Sequence, residues 1–314
     1  MSRKNAIKQL ELSVSTRIRD HNIAYATDFG KMFIGDAKKL LNCPTIMEYK
    51  GEIQLIFTSP PFPLTRKKKY GNLQGQEYVD WLSSFALAFR DYLKPDGSIV
   101  IELGNSWEPN RPVMSTLNLQ ALLAFLNEGK FNLCQQFVHH NPARLPSPAQ
   151  WVNVERIRVK DAFTYIWWMS PCDRPWANNR NVLVPYSPSM KKLLSSQKYN
   201  HGKRPSEHSI GQTSFLTNNK GAIPSNVLTL SNTRSYDVYL SYCRAHDLPI
   251  HPCRMQLEIP EFFINLLTKR GDIVMDPFAG SNTTGAVAER LGRRWLSVEI
   301  DDKYADGSFA WFQT

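Results

Sequence analysis

No run of about 18 or more apolar residues occurs in this chain, which excludes an ordinary membrane-spanning helix. The amino terminus, Met1-Ser2-Arg3-Lys4-Asn5, leads into mixed polar sequence and lacks the apolar stretch of a secretory signal. The cytoplasm is therefore the expected compartment. The five cysteines, Cys43, Cys134, Cys172, Cys243 and Cys253, are odd in number, scattered and without a CxxC pair. That argues against a disulfide framework and against a structural zinc site. His139-His140 has no carboxylate or thiol at ligand spacing, so it does not read as a metal pair. There is no internal repeat, no low-complexity tract, no GxGxxG and no lysine placed as in a P-loop. A ligand held by its pyrophosphate is thereby disfavoured.

What is present is a chain of 314 residues, 42% hydrophobic, long enough for one large α/β domain and a smaller appendage. Lys and Arg number 38 against 28 acids, a net charge of +10 that suits a polyanion partner. The basic residues cluster at Arg66-Lys67-Lys68-Lys69, Lys191-Lys192, Lys198, Lys203-Arg204 and Arg293-Arg294.

Residues 1–30 are polar and read as peripheral. Met32 to Asp36 reads as a short strand, followed by a helix start over 37–41. Ile53 to Phe57 is an apolar run between Gly51 and Pro60-Pro61, the pattern of a buried strand ending in a rigid loop. Glu77 to Leu93 has helical apolar spacing, and Lys94-Pro95-Asp96-Gly97 predicts a turn. Ser98 to Leu103 is a strand, and Leu117 to Glu128 a helix stopped by Gly129. Phe131 to His139 and Phe163 to Met169 are further strands. Trp167-Trp168 belongs to the core. Residues 170–250, rich in Pro, Ser, Asn, Lys and Arg, break the alternation. It resumes with a helix over Leu257 to Lys269, a strand over Asp272 to Met275, a helix over Thr283 to Leu291 and a strand over Trp295 to Ile300. The class is α/β with a mostly parallel sheet built from both ends of the chain. Residues 1–169 form one half, 170–250 an insertion and 251–314 the other half.

The tract Ile273 to Gly285 places Asp276 at a strand end, a turn of small residues next, and a helix after it. Ligands of open α/β sheets sit beside turns of this kind. Gly280 permits close backbone approach, Asp276 suits a cationic amino group, and Glu299 ends the next strand where ribose hydroxyls bind in dinucleotide folds. A nucleoside without phosphate fits this set; so does an ordinary strand–helix turn with a capping aspartate. In Ser59-Pro60-Pro61-Phe62 the prolines fix the backbone and leave carbonyls free to accept from an NH2 group. Ser59 adds a polar group and Phe62 a flat face for a base. The same loop could be a rigid turn with a core aromatic.

Together, Thr58-Ser59-Pro60-Pro61-Phe62 and Asp276-Pro277-Phe278-Ala279-Gly280-Ser281 resemble the catalytic and cofactor motifs of amino-methylating DNA methyltransferases. With the catalytic motif first, the order resembles the permuted β class, whose target-recognition region lies between the two. Lys67 to Asn72, Glu77 to Trp81, Leu145 to Pro148, Trp151 to Asn153, Val159 to Ala162, Val184 to Ser187 and His251 to Phe263 are similar to the PvuII-type modification methylases, a cytosine-N4 group. Serine as the first motif residue is typical of that group; Asp or Asn is typical of adenine-N6 enzymes, the alternative activity.

The resemblance implies a Rossmann-like, circularly permuted sheet of seven strands, one antiparallel, with helices on both faces. It implies S-adenosyl-L-methionine as cofactor, lined by Asp276, Phe278, Gly280, Ser281 and Thr283, its ribose on Glu299, its adenine near Asp36, and Pro252 in the remaining wall. Ser59, Pro60, Pro61 and Phe62 would hold a flipped cytosine of duplex DNA. Glu102 would take a relayed proton, hold the ring edge or only support a neighbour. Arg66, Lys67, Lys68 and Lys69, with Tyr70, would close over the base and meet phosphates. Lys191, Lys192, Arg204, Ser206, Asn218, Asn219 and Lys220 are the DNA contacts expected in the insertion. The implied setting is a restriction–modification system, whose endonuclease shares the target, and a monomer or weak dimer. Two departures from the pattern stand out: Asn282 occupies a second-glycine position, and Met255-Gln256 replaces an aromatic and a proline.

Overall fold

The computed structural model describes residues 22–63, 73–233 and 237–313. The chain falls into two compact units, one made of residues up to Ala177 and from Asn226 onward, the other of Asn178–Ser225. The strands are β1 (Ile23–Ala26), β2 (Gly30–Ile34), β3 (Ile53–Thr58), β4 (Leu93–Gly104), β5 (Asn132–His140), β6 (Phe163–Ser170), β7 (Gly202–Lys203), β8 (Ser209–Ile210), β9 (Val227–Thr229), β10 (Ile273–Asp276) and β11 (Arg294–Glu299).

Nine of these form the sheet of the first unit, in the order β1-β2-β11-β10-β3-β4-β6-β5-β9. From β2 to β4 every neighbouring pair is parallel, and β6 is antiparallel to both β4 and β5. The expected seven strands are those from β2 to β5, with β6 the reversed one. The described residues add two edge strands: β1, antiparallel to β2, and β9, parallel to β5. At four and three residues, these are too short to carry a periodic signal.

Strands β3 and β10 come from opposite halves of the chain and lie side by side. From that pair, β11 and β2 extend one way and β4 the other, so the sheet has its topological switch point between them. A crevice at the carboxyl ends is the consequence. All six residues of β3 and all four of β10 are buried. That explains their continuous apolar runs, because helices cover both faces. The helices Gly75–Ser83, Ala86–Tyr92 and Leu117–Gly129 contribute Tyr78, Leu82, Phe89 and Phe125, and the break between the first two contributes Phe85, to a core that includes Ile56, Ile99 and Ile101. Phe57, the next residue of β3, meets Phe263 of the helix Glu258–Leu267, their ring centroids 5.7 Å apart.

Several local expectations are corrected. The helix expected over Glu77 to Leu93 is two helices, broken at Ser84. The hydroxyls of Ser83 and Ser84 bond back to the Asp80 and Trp81 carbonyls, offering the chain an alternative to continued helix. Lys94 to Gly97 is not a turn between elements but an irregularity inside β4. Pairing jumps from Ile53–Leu93 to Leu55–Ser98, and the freed Asp96 carbonyl accepts from Gln54 Nε2 at 3.2 Å and Trp176 N at 3.0 Å. Gly129 is the last helical residue rather than the left-handed stop, which falls at Lys130 (φ 49°). Glycine is needed because a Cβ at 129 would lie 2.1 Å from the Phe131 ring.

The insertion expected over 170–250 is narrower as a compact unit. Residues 226–229 return to the sheet edge, and the helix Val238–Ala245 packs against the carboxyl-terminal segment of the first unit. The second unit holds the β7–β8 ladder and the helix Pro188–Ser196, whose first turn is capped by Ser187 Oγ accepting from Met190 N at 3.2 Å. The Tyr199 hydroxyl donates to the Gly211 carbonyl, and its ring meets Phe215 at 5.4 Å.

Candidate active site

Asp276 ends β10 with only 4% of its surface exposed. Its Oδ1 accepts from Thr58 Oγ1 at 2.7 Å and from Phe278 N at 3.1 Å, and its Oδ2 from Thr284 Oγ1 at 2.7 Å. Burial pushes this carboxyl up from 3.8 to about 6, against the pull of those three donors. The Thr58 bond joins two strands separated by 218 residues and ties the proline loop to the Asp276 turn.

Gly280 follows in the left-handed region (φ 54°), and a Cβ there would come within 3.0 Å of the His251 ring. Its N–H donates to Glu299 Oε2 at 2.7 Å, while Glu299 Oε1 accepts from Asp301 N at 2.9 Å. Burial raises the Glu299 carboxyl above its ordinary range, opposed by these amides. Asn282 is also left-handed (φ 51°), a conformation asparagine tolerates better than most residues. Its Oδ1 accepts from Gly285 N at 3.2 Å and Ser297 Oγ at 2.6 Å, and its Nδ2 donates to the Tyr25 hydroxyl at 3.0 Å. The replacement of a second glycine is thus accommodated by a helix cap. Ser281 and Thr283 are buried with hydroxyls 3.2 Å apart, and Trp311 Nε1 clasps the Ser281 carbonyl at 2.8 Å.

The other expected cofactor residues surround this turn. Phe278 packs its ring on Trp81 and Phe85, at 5.4 and 5.2 Å. Asp36 is exposed and caps the helix Ala37–Leu40. Beside it, Gly35 N donates to the Glu299 carbonyl at 2.8 Å. Pro252 is exposed next to His251, whose N–H donates to the Tyr239 hydroxyl at 3.0 Å.

On the other side of Thr58, Pro60 is buried and Ser59, Pro61 and Phe62 are half-buried. Ser59 Oγ donates to the Glu102 carbonyl on β4 at a long 3.4 Å. The Phe62 ring lies against Gly104, where a Cβ would sit 2.5 Å from Cδ2. Gly104→Ala should therefore displace this ring. Single-turnover methylation of the target base is expected to fall at least about 10-fold, with cofactor binding by calorimetry unchanged. Equal loss of both would assign Gly104 to general stability.

Glu102 is buried, and its Oε1 meets Thr164 Oγ1 at 2.7 Å and His139 Nδ1 at 3.0 Å. His139 thus meets Glu102 through Nδ1, while among the described residues no group of three or more His, Cys, Asp and Glu side chains is placed to hold a metal ion.

The fold therefore gathers Ser59 to Phe62, Glu102, Asp276, Gly280, Ser281, Thr283 and Glu299 at adjoining strand ends. Arg66, Lys67, Lys68 and Lys69 lie outside the described residues. Lys191 and Lys192 are exposed on their helix, and Arg204 Nη2 donates to the Asn200 carbonyl at 2.8 Å; all three belong to the second unit. Ser206, Asn218, Asn219 and Lys220 are exposed in the same unit. Three site residues escape sequence reasoning: Thr284, Thr164 and His139. Thr58 stood in the proline-loop motif, but its bond to Asp276 had no signal in the sequence.

An open α/β sheet with buried acids at two adjoining strand ends, one of them bonded to the residue that opens the proline loop, defines a candidate nucleoside-binding site. Residues 53–310 match the DNA methylase family, and the chain belongs to it. It is 45% identical to the type II methyltransferase M.PvuII of Proteus hauseri over 288 residues, 91% of this chain and 84% of that protein. The solved structure of PvuII DNA methyltransferase (cytosine-N4-specific) aligns with TM-score 0.73 and 38% identity, covering 91% of this chain and 87% of that one. The M1.HpyAVI–SAM complex shares the fold, with TM-score 0.51 and 18% identity over 91% of this chain and 100% of that one.

Proposed function

We propose that this protein methylates N4 of a flipped cytosine within a specific site in duplex DNA, with S-adenosylmethionine as donor, as the modification enzyme of a restriction–modification system. The observation that carries the reading is the Thr58–Asp276 hydrogen bond of 2.7 Å, which sets a Ser-Pro-Pro-Phe loop against the Asp276 turn. The chain's 45% identity to M.PvuII supplies the base and the substrate class.

The residues fit the donor. Asp276 and Glu299 are buried acids whose ionised forms gain from a cationic group and from hydroxyls, and Gly280 leaves the turn free of a side chain. Asp276 would hold the amino group, Glu299 the ribose, and Phe278, Ser281, Thr283, Asp36 and Pro252 the surrounding wall. When bound, S-adenosylmethionine supplies a methyl group on a cationic sulfur; N4 takes the methyl, sulfur keeps the bonding pair, and one N4 proton must leave. The chain's own part is positioning. A base inside a duplex cannot present its amino lone pair, so it leaves the stack and lies on Phe62. Ser59 Oγ and the Pro60 carbonyl accept the N4 hydrogens and turn the lone pair toward the donor.

Duplex phosphates would be met by Arg66 to Lys69, Lys191, Lys192 and Arg204. Each lost phosphate contact lowers the salt slope of DNA affinity by about 0.9. Replacing Lys191 and Lys192 together by alanine is expected to lower it by about 2, measured by fluorescence anisotropy across salt concentrations. An unchanged slope would remove these lysines from the interface. The protein is expected in the prokaryotic cytoplasm, as a monomer or weak dimer, beside an endonuclease that shares its target. Among the described residues no helix is long and apolar enough to cross a membrane.

The deciding experiment is expression in cells lacking such modification, then digestion of plasmid DNA to nucleosides. N4-methylcytosine is the expected product. N6-methyladenine would overturn the base assignment, and unmodified DNA the whole reading.

A further inference from the structure

Three neighbouring strands bring three side chains together at the edge of the proposed base site. Glu102 is on β4, Thr164 on β6 and His139 on β5, with Thr164 opposite both Gly104 and His139. Gly104 stands two residues after Glu102, so both present to one face of the sheet, and Phe62 covers Gly104 on that face. The Glu102 carboxyl therefore borders the Phe62 ring.

Both contacts of that carboxyl fall on one oxygen. Oε1 accepts from Thr164 Oγ1 at 2.7 Å and lies 3.0 Å from His139 Nδ1, while Oε2 has no partner among the described residues. On the other side of the imidazole, His139 Nε2 is buried and has no partner either. A proton on Nε2 would be an unsatisfied buried donor, and a full imidazolium would leave part of its charge unpaired. The tautomer with its hydrogen on Nδ1 donates to Glu102 and leaves no buried N–H without an acceptor. In that state it has no vacant lone pair facing Glu102 and cannot draw a proton through it.

We propose that His139 and Thr164 are positioning residues that clamp Glu102 by Oε1 and thereby present Oε2 as the acceptor of the proton leaving N4. The clamp rests on the amino-methyl transfer reading above. The proton balance closes within it: N4 forms the bond to methyl and yields to Ser59 Oγ the proton held there, the serine hydroxyl turns and passes its own proton to Oε2, and Glu102 goes from carboxylate to carboxylic acid until solvent takes the proton. The histidine stays neutral throughout. Two donors on Oε1 restrict rotation of the carboxyl group, so Oε2 keeps its direction without a bond of its own.

The test is a mutant cycle read by single-turnover methylation of a duplex substrate, with cofactor and DNA affinities measured separately. His139→Leu is expected to slow the chemical step about 10- to 100-fold at unchanged cofactor affinity, and Glu102→Gln about 100-fold. The double variant should be no slower than Glu102→Gln, because the histidine acts only through the carboxylate. His139→Asn should recover most of the rate, since its side-chain N–H2 reaches the place of Nδ1–H. Thr164→Ser should be near wild type and Thr164→Val slower. Nitrogen NMR of ligand-free protein should show His139 protonated at Nδ1 and bare at Nε2, with that pattern lost in Glu102→Leu, which has no acceptor for Nδ1–H. Multiplying effects in the double variant, or His139→Asn as slow as His139→Leu, would overturn the clamp. So would a histidine signal indifferent to Glu102→Leu. A wild-type protein that leaves no N4-methylcytosine fails the parent reading instead, and the NMR result still decides the clamp.

Discussion

Asp276→Asn is expected to abolish cofactor binding and, in the same protein, to stabilise the ligand-free fold at neutral pH. The carboxyl is buried at the end of β10 and pushed from 3.8 up to about 6 by loss of solvent. A raised acid contributes its stability when protonated: fully below the unfolded value near 4, and lost as pH rises through about 6. At pH 7.5 the ionised group therefore opposes folding by about 2–3 kcal/mol. Asparagine keeps the shape and cannot ionise. The hydroxyls of Thr58 and Thr284, each now 2.7 Å from an oxygen, can rotate to meet an amide. The melting temperature of the variant should exceed wild type above pH 6, and the difference should close by about pH 4. A buried carboxylate facing an ammonium loses several kcal/mol of binding when it is neutralised, so affinity for S-adenosylmethionine should drop at least about 100-fold. Differential scanning fluorimetry from pH 4 to 8 and calorimetric titration measure the two halves. Equal melting at pH 7.5 would show that the buried charge costs nothing. Retained affinity would place the ammonium elsewhere.

This opposition between stability and binding follows from where the acid sits, and only part of that was legible in the sequence. Strands β3 and β10 could be read because burial on both faces demands continuous apolar runs, and because each ends in distinctive turn chemistry. Ser59 to Phe62 and Asp276 to Thr283 were local in the chain, so their motifs were visible. The hydrogen bond that unites them was not, because Thr58 and Asp276 are 218 residues apart and only sheet order makes them neighbours. His139 illustrates the same limit: the sequence shows it only beside His140, and its partner in the fold is 37 residues back on a strand two places away. The broken helix at Ser84 and the irregularity at Lys94 to Gly97 depend on single side-chain and carbonyl bonds that leave periodicity untouched. The narrower insertion depends on three residues, Val227–Thr229, finding the edge of β5.

Ser59→Ala is expected to cut the methyl-transfer rate about 100-fold or more while leaving cofactor affinity within about twofold of wild type. The split follows from the division of labour between adjacent residues. Thr58 points inward and carries the 2.7 Å bond to Asp276, so the cofactor turn is braced without Ser59. Ser59 itself is half-buried, and its hydrogen bond to the Glu102 carbonyl is long at 3.4 Å. A weak donor bond of this kind fixes the hydroxyl hydrogen toward β4 and leaves the oxygen lone pairs to accept from an amine. Removing the oxygen leaves the Pro60 carbonyl as the only acceptor of the pair, and N4 loses half of what orients it. Thr58→Val should show the opposite split, weakening cofactor affinity first, because a buried carboxylate oxygen then loses one of its two donors. Single-turnover rates and calorimetric affinities for both variants distinguish the two roles. Full methylation by Ser59→Ala would sink the role of the serine, and loss of cofactor binding in that variant would move Ser59 into the structural support of the turn.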